Sequence, residues 1–412
     1  MWIRTIFRTI AGLRPALALA CLALAFAGPG LASPPPSLGV DITFAGTGEG
    51  SVNGRRTDGY ILLGIWVPNG TLVATPDPGS RFAGWSGQCS PMPDGNCNVT
   101  CILYSPYPGA ETCQPAAVTA TFARVTRGDL DGDGRADLVW RGADESLAWW
   151  LMEGASATGG GWMPLPAGWT VFGTAKGGMS PESTLHLFNA TTRFGAGVKV
   201  AGRFAMEFGF FGPVPEPWFP IGLGDFDGNG SGNSLWRRAD GMTYVRVGLY
   251  DGTPGSPGPE WLPAGIADLD GDGRDDIVWR HATTGEAWAW FMDGLAIASQ
   301  KSLGTLDAVQ WTLVAVADFD GDRKADLLWR HASGDTWAWR LDAGNYVAGA
   351  SLGTPGPEWL PQAVADFDGD GKADIAWRRT DGAIWLWKMN GLAVAAQAPI
   401  ADPGPAWTIA AP

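Results

Sequence analysis

The 412-residue sequence predicts an all-β chain built from repeats, on three observations. Gly 60 and Pro 31 accompany 23 tryptophans, a turn-rich and aromatic-rich composition without long helical patterns. Short apolar runs alternate with Gly, Asp and Pro turns. One acidic phrase, ADFDGDGKADIAWR from Ala365, returns four more times.

Residues 1–33 stand apart from the fold. Arg4, Arg8 and Arg14 precede the apolar run PALALACLALAFA (Pro15 to Ala27), and small residues follow in GPGLAS. A basic head, a short apolar run and a small-residue end describe a secretory signal peptide. The run is short for a membrane span, so an uncleaved anchor is the weaker alternative. Cleavage near Ala27 or Ala32 leaves an extracellular, cell-surface or periplasmic chain with no membrane insertion. It also removes three arginines and takes the formal charge from −14 to −17. That balance argues against nucleic acid or an anionic membrane surface as partner.

With Cys21 gone, Cys89, Cys97, Cys101 and Cys113 remain. An even number clustered in an exported chain predicts two disulfides. A metal site would need CxxC-type spacing with histidine partners, and neither is present.

Aligned copies of the acidic phrase begin at Asp129, Asp225, Asp268, Asp318 and Asp366, at intervals of 96, 43, 50 and 48. The first interval is two periods, so a hidden unit is expected near residue 176. STLHLFNATTRF (Ser183 to Phe194) supplies it by aligning with DDIVWRHATTGE (Asp275 to Glu286), with Lys176 where the first acid belongs. Six units of 43 to 50 residues therefore fill 125–412, the period of a propeller blade. Each reads as four short strands: a run such as WTLVAVA, the acidic loop, DLLWRH, TWAWRL and VAGASLG. PGPEW at Pro257 and Pro355 and PGPAW at Pro403 read as inter-blade connections. WTIAA (Trp407 to Ala411) repeats a blade's opening with no blade after it, which suits a ring-closing strand. Six four-stranded blades are expected, with seven as the alternative.

Within the loop, positions 1, 3, 5 and 9 carry Asp129, Asp131, Asp133 and Asp137 in unit one. They carry Asp225, Asp227, Asn229 and Asn233 in unit three, and Asp268, Asp270, Asp272 and Asp276 in unit four. Units five and six have Asp318, Asp320, Asp322 and Asp326, and Asp366, Asp368, Asp370 and Asp374. Position 7 varies as Arg135, Ser231, Arg274, Lys324 and Lys372, as befits a backbone-carbonyl ligand. Hard oxygen donors around a tight turn suit Ca²⁺, with four or five ions expected. An EF-hand needs a bidentate Glu at position 12, whereas Trp140, Trp236, Trp279, Trp329 and Trp377 stand there. The loop is a metal-binding turn between strands. Arg323 replaces the usual glycine at position 6 of unit five, where a positive backbone angle is needed.

DFDGDGKADI and its sister loops resemble FG-GAP or VCBS-type repeats, the calcium-loop blades of integrin-like β-propellers. The resemblance covers residues 125–412 and implies Ca²⁺ on the loop residues named above. Residues 34–124 differ in kind. GSRFAGWSGQC, GNCNV and AVTATFAR resemble the small β-rich internalin B-repeat of bacterial surface proteins, a spacer or adhesive unit. Each of the pairs Cys89–Cys97 and Cys101–Cys113 brackets a short turn-rich loop, and these pairings are expected.

No catalytic set is recognisable. His281 and His331 occupy a repeat slot after Trp-Arg, and His186 lies inside an apolar strand. The pairs Trp288/Trp290, Trp337/Trp339 and Trp385/Trp387 each face one side of a strand. The main reading packs them between blades; the functional reading places some rings where sugars stack. Arg141, Arg237, Arg280, Arg330 and Arg378 would then donate hydrogen bonds. The expectation is a non-catalytic binding or adhesion protein for an extracellular glycan or surface protein. The rivals are a polysaccharide lyase or hydrolase on the propeller face and a structural spacer. Equivalent pockets around the ring favour a lectin; one groove of unlike residues from different blades favours an enzyme.

Overall fold

The computed structural model describes residues 38–45, 49–52, 55–56, 62–67, 71–77, 80–92, 96–99, 102–107, 110–114, 116–176 and 182–411. The signal peptide expected at 1–33 lies outside them. Every regular element among the described residues is a strand.

A strand with one apolar face needs neighbours to cover it, and the repeat supplies them in fours. Six antiparallel four-stranded sheets follow one another along the propeller. Blade four shows the pattern: Trp261–Ala267, Asp276–His281, Glu286–Asp293 and Ala296–Thr305, paired in that order. The first strands of blades two, three, five and six are Trp169–Lys176, Phe219–Gly224, Trp311–Ala317 and Trp359–Ala365. With the first strand of blade four between those of blades three and five, they touch in sequence around an axial channel of about 430 Å³. Blade one takes its first strand from the far end of the chain. Trp407–Ala411 pairs with Leu138–Gly142, with Trp407 opposite Gly142 and Thr408 opposite Arg141. The ring-closing strand is real, and the blade number is six.

The hidden unit is a full blade. Trp169–Lys176 pairs with Ser183–Asn189 through a register shift between Val171 and Gly173. The same shift falls between Pro263 and Gly265 in blade four and between Leu313 and Ala315 in blade five. Leu187 and Phe188 therefore stand where Trp279 and Arg280 stand.

Between blades the wedge is filled with indole. Trp140, Trp279, Trp329 and Trp377 are at most 1% exposed. Each carries a second tryptophan from the adjacent strand, Trp150, Trp290, Trp339 or Trp387, at ring distances of 4.9 or 5.2 Å. Packing is thus the role of the second ring in each W-x-W pair, while Trp385 stays at the surface.

The arginines after these tryptophans latch each blade to the next. Arg280 lies 4.6 Å over the Trp329 ring and donates to Leu306 O and Trp311 O, both at 3.0 Å. Arg330 lies 5.0 Å over Trp377 and donates to Trp359 O at 2.7 Å. Arg237 and Arg378 repeat the contact on Trp279 and Trp140, and Arg141 donates to Trp169 O at 2.5 Å. A cation over an indole face adds roughly 0.5–2 kcal/mol. These groups hold the ring together, which corrects their reading as sugar donors. In blade two, Phe188 takes the arginine's place and meets Trp236 edge-on at 5.3 Å.

The N-terminal module centres on a four-stranded sheet, Leu62–Val67, Leu38–Ala45, Ala116–Arg124 and Ser80–Gly87 in spatial order. Leu38–Ala45 and Ala116–Arg124 run parallel. Ile42, Val52, Leu72, Cys97, Val118 and Phe122 form its core. Cys89 and Cys97 are disulfide-bonded, as expected. Cys101 lies outside the described residues, and with it the Cys101–Cys113 pairing.

Among the described residues, Arg124, Arg127 and Glu49 join the module and its connecting segment to the propeller loops. Arg124 Nη1 donates to Gly371 O at 2.9 Å. Arg127 donates to Ile266 O and to Asp275 Oδ2, both at 2.7 Å, at the channel mouth. Glu49 Oε2 pairs with Arg323 Nη2 at 2.5 Å.

Candidate metal centres in the blade loops

Each acidic loop folds around its first aspartate. Asp268 Oδ1 accepts the Gly271 N–H at 2.7 Å and Oδ2 accepts the Gly273 N–H at 2.8 Å. Asp129, Asp318 and Asp366 accept from the same two positions. Presenting the position-6 N–H requires a left-handed backbone. Gly134, Gly230, Gly273 and Gly371 have φ of 92°, 79°, 84° and 86°. Arg323 adopts φ 70° and donates its N–H to Asp318 Oδ2 at 2.8 Å. Loop five keeps its shape despite the replacement.

The position-9 aspartate ties the loop to the blade. Asp276 Oδ2 accepts the Leu269 N–H at 3.0 Å, and Oδ1 accepts the Met292 N–H, from the third strand, at 2.9 Å. Asp137, Asp326 and Asp374 do the same. These side chains are at most 2% exposed. Burial pushes Asp137, Asp276 and Asp374 up to about 8 and Asp326 to about 7. It lifts Asp129, Asp268, Asp318 and Asp366 to about 6. Desolvation of this kind disfavours the charged form, and a nearby cation would offset it.

Positions 1, 3 and 9 converge. The sets Asp129/Asp131/Asp137, Asp268/Asp270/Asp276, Asp318/Asp320/Asp326 and Asp366/Asp368/Asp374 each bring three carboxylate oxygens within 4.8 Å of one another. Position 5 sits outside these clusters. Asp133, Asp272, Asp322 and Asp370 accept the N–H of their own position 7, at 2.8 or 2.9 Å. The position-7 side chains turn to the surface: Arg135 pairs with Asp133, Arg274 with Asp272 and Lys372 with Asp370, whereas Lys324 reaches Asp342.

Loop three keeps the scaffold with fewer charges. Asn233 Oδ1 accepts the Phe226 N–H at 2.7 Å in place of an aspartate. Asn229 donates to Asp227 Oδ2 at 2.7 Å and accepts the Ser231 N–H through Oδ1 at 2.7 Å. Asp227 Oδ1 is buried and accepts no hydrogen bond, and burial raises Asp225 to about 7. An orphaned anionic acceptor and an all-oxygen donor set fit a hard cation.

A second relationship was invisible in side-chain spacing. The carbonyl of position 1 in each loop accepts the N–H of position 8 in the next. Asp129 O accepts from Ser183, Lys176 O from Gly232 and Asp225 O from Asp275; Asp268 O accepts from Ala325, Asp318 O from Ala373 and Asp366 O from Ala136, all at 2.6 to 2.8 Å. The six bonds form a closed cycle that includes the degenerate unit. Position 8 has no common side chain because the backbone is the donor.

The FG-GAP-like repeat model matches residues 268–329 and 318–377, and the divergent InlB B-repeat model matches residues 40–126. Among solved structures, a chain in the crystal structure of a nidogen/laminin complex is similar at a TM-score of 0.46 and 12% identity, over 67% of this chain and 96% of that one. No curated protein matches the sequence significantly. The chain thus carries FG-GAP-like repeats in a six-bladed β-propeller, with a divergent InlB B-repeat domain ahead of them.

Proposed function

We propose that this chain is an exported, calcium-stabilised binding or adhesion protein that recognises an extracellular glycan or surface protein without turning it over. The convergence of three carboxylates, one of them fully buried at position 9, in each of four equivalent loops carries the reading. Ca²⁺ takes six to eight oxygens and tolerates irregular geometry. Asp129, Asp131, Asp133 and Asp137, with the carbonyl of Arg135, would hold one ion, and the corresponding residues of loops three to six would hold the others. Bound calcium supplies charge compensation. Five ions would carry +10 and move the processed chain from −17 to −7.

Repeats of these two kinds are typical of extracellular and surface proteins, which supports export through the leader at 1–33. Among the described residues no helix is long and apolar enough to cross a membrane. A glycan and surface-protein array probed with and without Ca²⁺ tests the reading, paired with assays for new reducing ends and unsaturated products. Retention without products is expected. Saturable turnover of any polysaccharide would overturn it in favour of the lyase or hydrolase.

A further inference from the structure

Blade three lacks the filling of its wedge. In blades one, four, five and six, the residue opening the second strand's inward face is Leu138, Ile277, Leu327 or Ile375. Opposite it stands Trp150, Trp290, Trp339 or Trp387. Blade three has Ser234 opposite Arg246 at this place. An aliphatic side chain and an indole are replaced by a small hydroxyl and a guanidinium.

The result is a cavity of about 380 Å³ between blades two and three, within the range of small-ligand sites, roughly 300–1,000 Å³. Trp218, Trp236 and Tyr244 give it aromatic walls, and His186, Ser234 and Arg246 add polar groups. Trp236 Nε1 donates to Ser234 Oγ at 2.8 Å. The equivalent indoles of Trp140, Trp279, Trp329 and Trp377 are buried with no such partner. Arg246 is exposed and makes no ion pair among the described residues. Tyr244 OH is held by Asp251 Oδ2 at 2.9 Å.

We infer that this cavity binds a single acidic sugar residue, a uronic acid at the end of a glycan. The inference rests on the glycan branch of the proposed function. Aromatic walls take the apolar C–H face of a sugar ring, and Arg246 pairs with its carboxylate. The imidazole of His186 and the Ser234 hydroxyl meet ring hydroxyls. A neutral sugar leaves Arg246 unpaired. An aryl carboxylate brings no hydroxyls to meet the His186 imidazole or the O–H of Ser234. The site occurs once among the described blades, so recognition is monovalent rather than spread around the ring.

The test uses the full chain, free glucuronic acid and a glucuronate-ended oligosaccharide, with the glucose-ended counterpart as control. Tryptophan fluorescence and calorimetry read binding. The acidic ligands should bind at least ten-fold more tightly than the neutral one, and R246Q should remove that preference. Changing Ser234→Ile together with Arg246→Trp installs the blade-four pair and fills the cavity. That variant should melt no lower than wild type and bind neither acid. No uronate binding by wild type, or binding that survives in the filled variant, overturns the inference. If an array glycan is retained equally by wild type and filled variant, the pocket inference falls while the glycan reading stands. If uronate binds in the cavity but no array glycan does, the broader reading falls alone.

Discussion

Glu49 of the N-terminal module and Arg323 of loop five form an ion pair at 2.5 Å, across a junction that also holds Arg124 against Gly371 O. Arg323 occupies the left-handed sixth position, where the other acidic loops have glycine, at φ 70°. The strain of such a backbone is roughly 1–2 kcal/mol. In return its side chain reaches the preceding module.

Arg323→Gly should therefore stabilise the propeller by about 1 kcal/mol while loosening the module. The ion pair is largely exposed and worth up to about 1 kcal/mol, so cleavage of the 125–128 connection should quicken a few-fold. Glu49→Ala should give the same quickening with no gain in propeller stability. Calorimetry and limited proteolysis separate the two effects. A propeller that melts lower in the Arg323→Gly variant than in wild type contradicts the strain argument.

Chelation should lower the propeller's melting temperature markedly, and magnesium should not restore it, because Mg²⁺ demands near-octahedral geometry and sheds water reluctantly. Asp368→Ala should remove one ion of four or five, counted by metal analysis. Replacing Lys176 should leave the count alone. Melting that is indifferent to chelator, with no calcium retained after dialysis, would contradict the metal reading.

Arg330 is 7% exposed and donates to Thr336 Oγ1 at 2.7 Å, to the carbonyls of Gly334, Gly356 and Trp359, and covers Trp377. Arg330→Ala should cost about 2–4 kcal/mol, since it strands buried acceptors and uncovers an indole. Arg330→Lys should recover only part, lacking the planar fork. Urea unfolding measures both. A loss under about 1 kcal/mol would deny the latch.

Burial lowers His186 from 6.5 to about 4. The folded protein therefore refuses a proton that the unfolded chain accepts. Its contribution is complete above pH 6.5, falls as pH drops from 6.5 to 4, and is flat below; the loss is up to about 3 kcal/mol. His186→Gln should remove that share of the acid sensitivity. Comparing the two proteins' unfolding free energies at about pH 7 and about pH 4.5 tests it, and parallel pH profiles would refute it.

Reduction should unfold the N-terminal module at a denaturant concentration that leaves the propeller intact. Cys97 is fully buried in the module core, and losing such a link typically costs about 2–5 kcal/mol. Cys97→Ser should reproduce the reduced behaviour in a two-transition melt.

Much of the fold was legible because the repeat prints itself in side chains. The Asp spacing marked five loops, ATT at 190–192 marked the sixth unit, and WTIAA marked the closing strand. What stayed hidden depends on neighbours in space. The cycle through positions 1 and 8 is made by backbone groups and leaves no residue pattern. The arginines after tryptophan looked available for ligands because their acceptors, such as Trp311 O and Trp359 O, belong to the following blade. The blade-three cavity did leave a mark, NSLWR and TYVRV in place of an aliphatic residue and W-x-W. Its meaning emerged only once Ser234 and Arg246 proved to be opposite each other.

Pairing of Trp407–Ala411 with Leu138–Gly142 also dictates an order of assembly. The two partners enclose nearly the entire propeller sequence, so this is its contact of highest sequence separation. The entropy of closing so long a loop grows only slowly with length, but it must be met before the contact returns anything, and such topologies fold slowly. Until that moment Leu138–Gly142 is an open edge, able to template pairing with another chain. Blades two to six can each collapse locally, whereas blade one cannot exist without the far terminus. The circle is therefore fastened once, by its most distant segment.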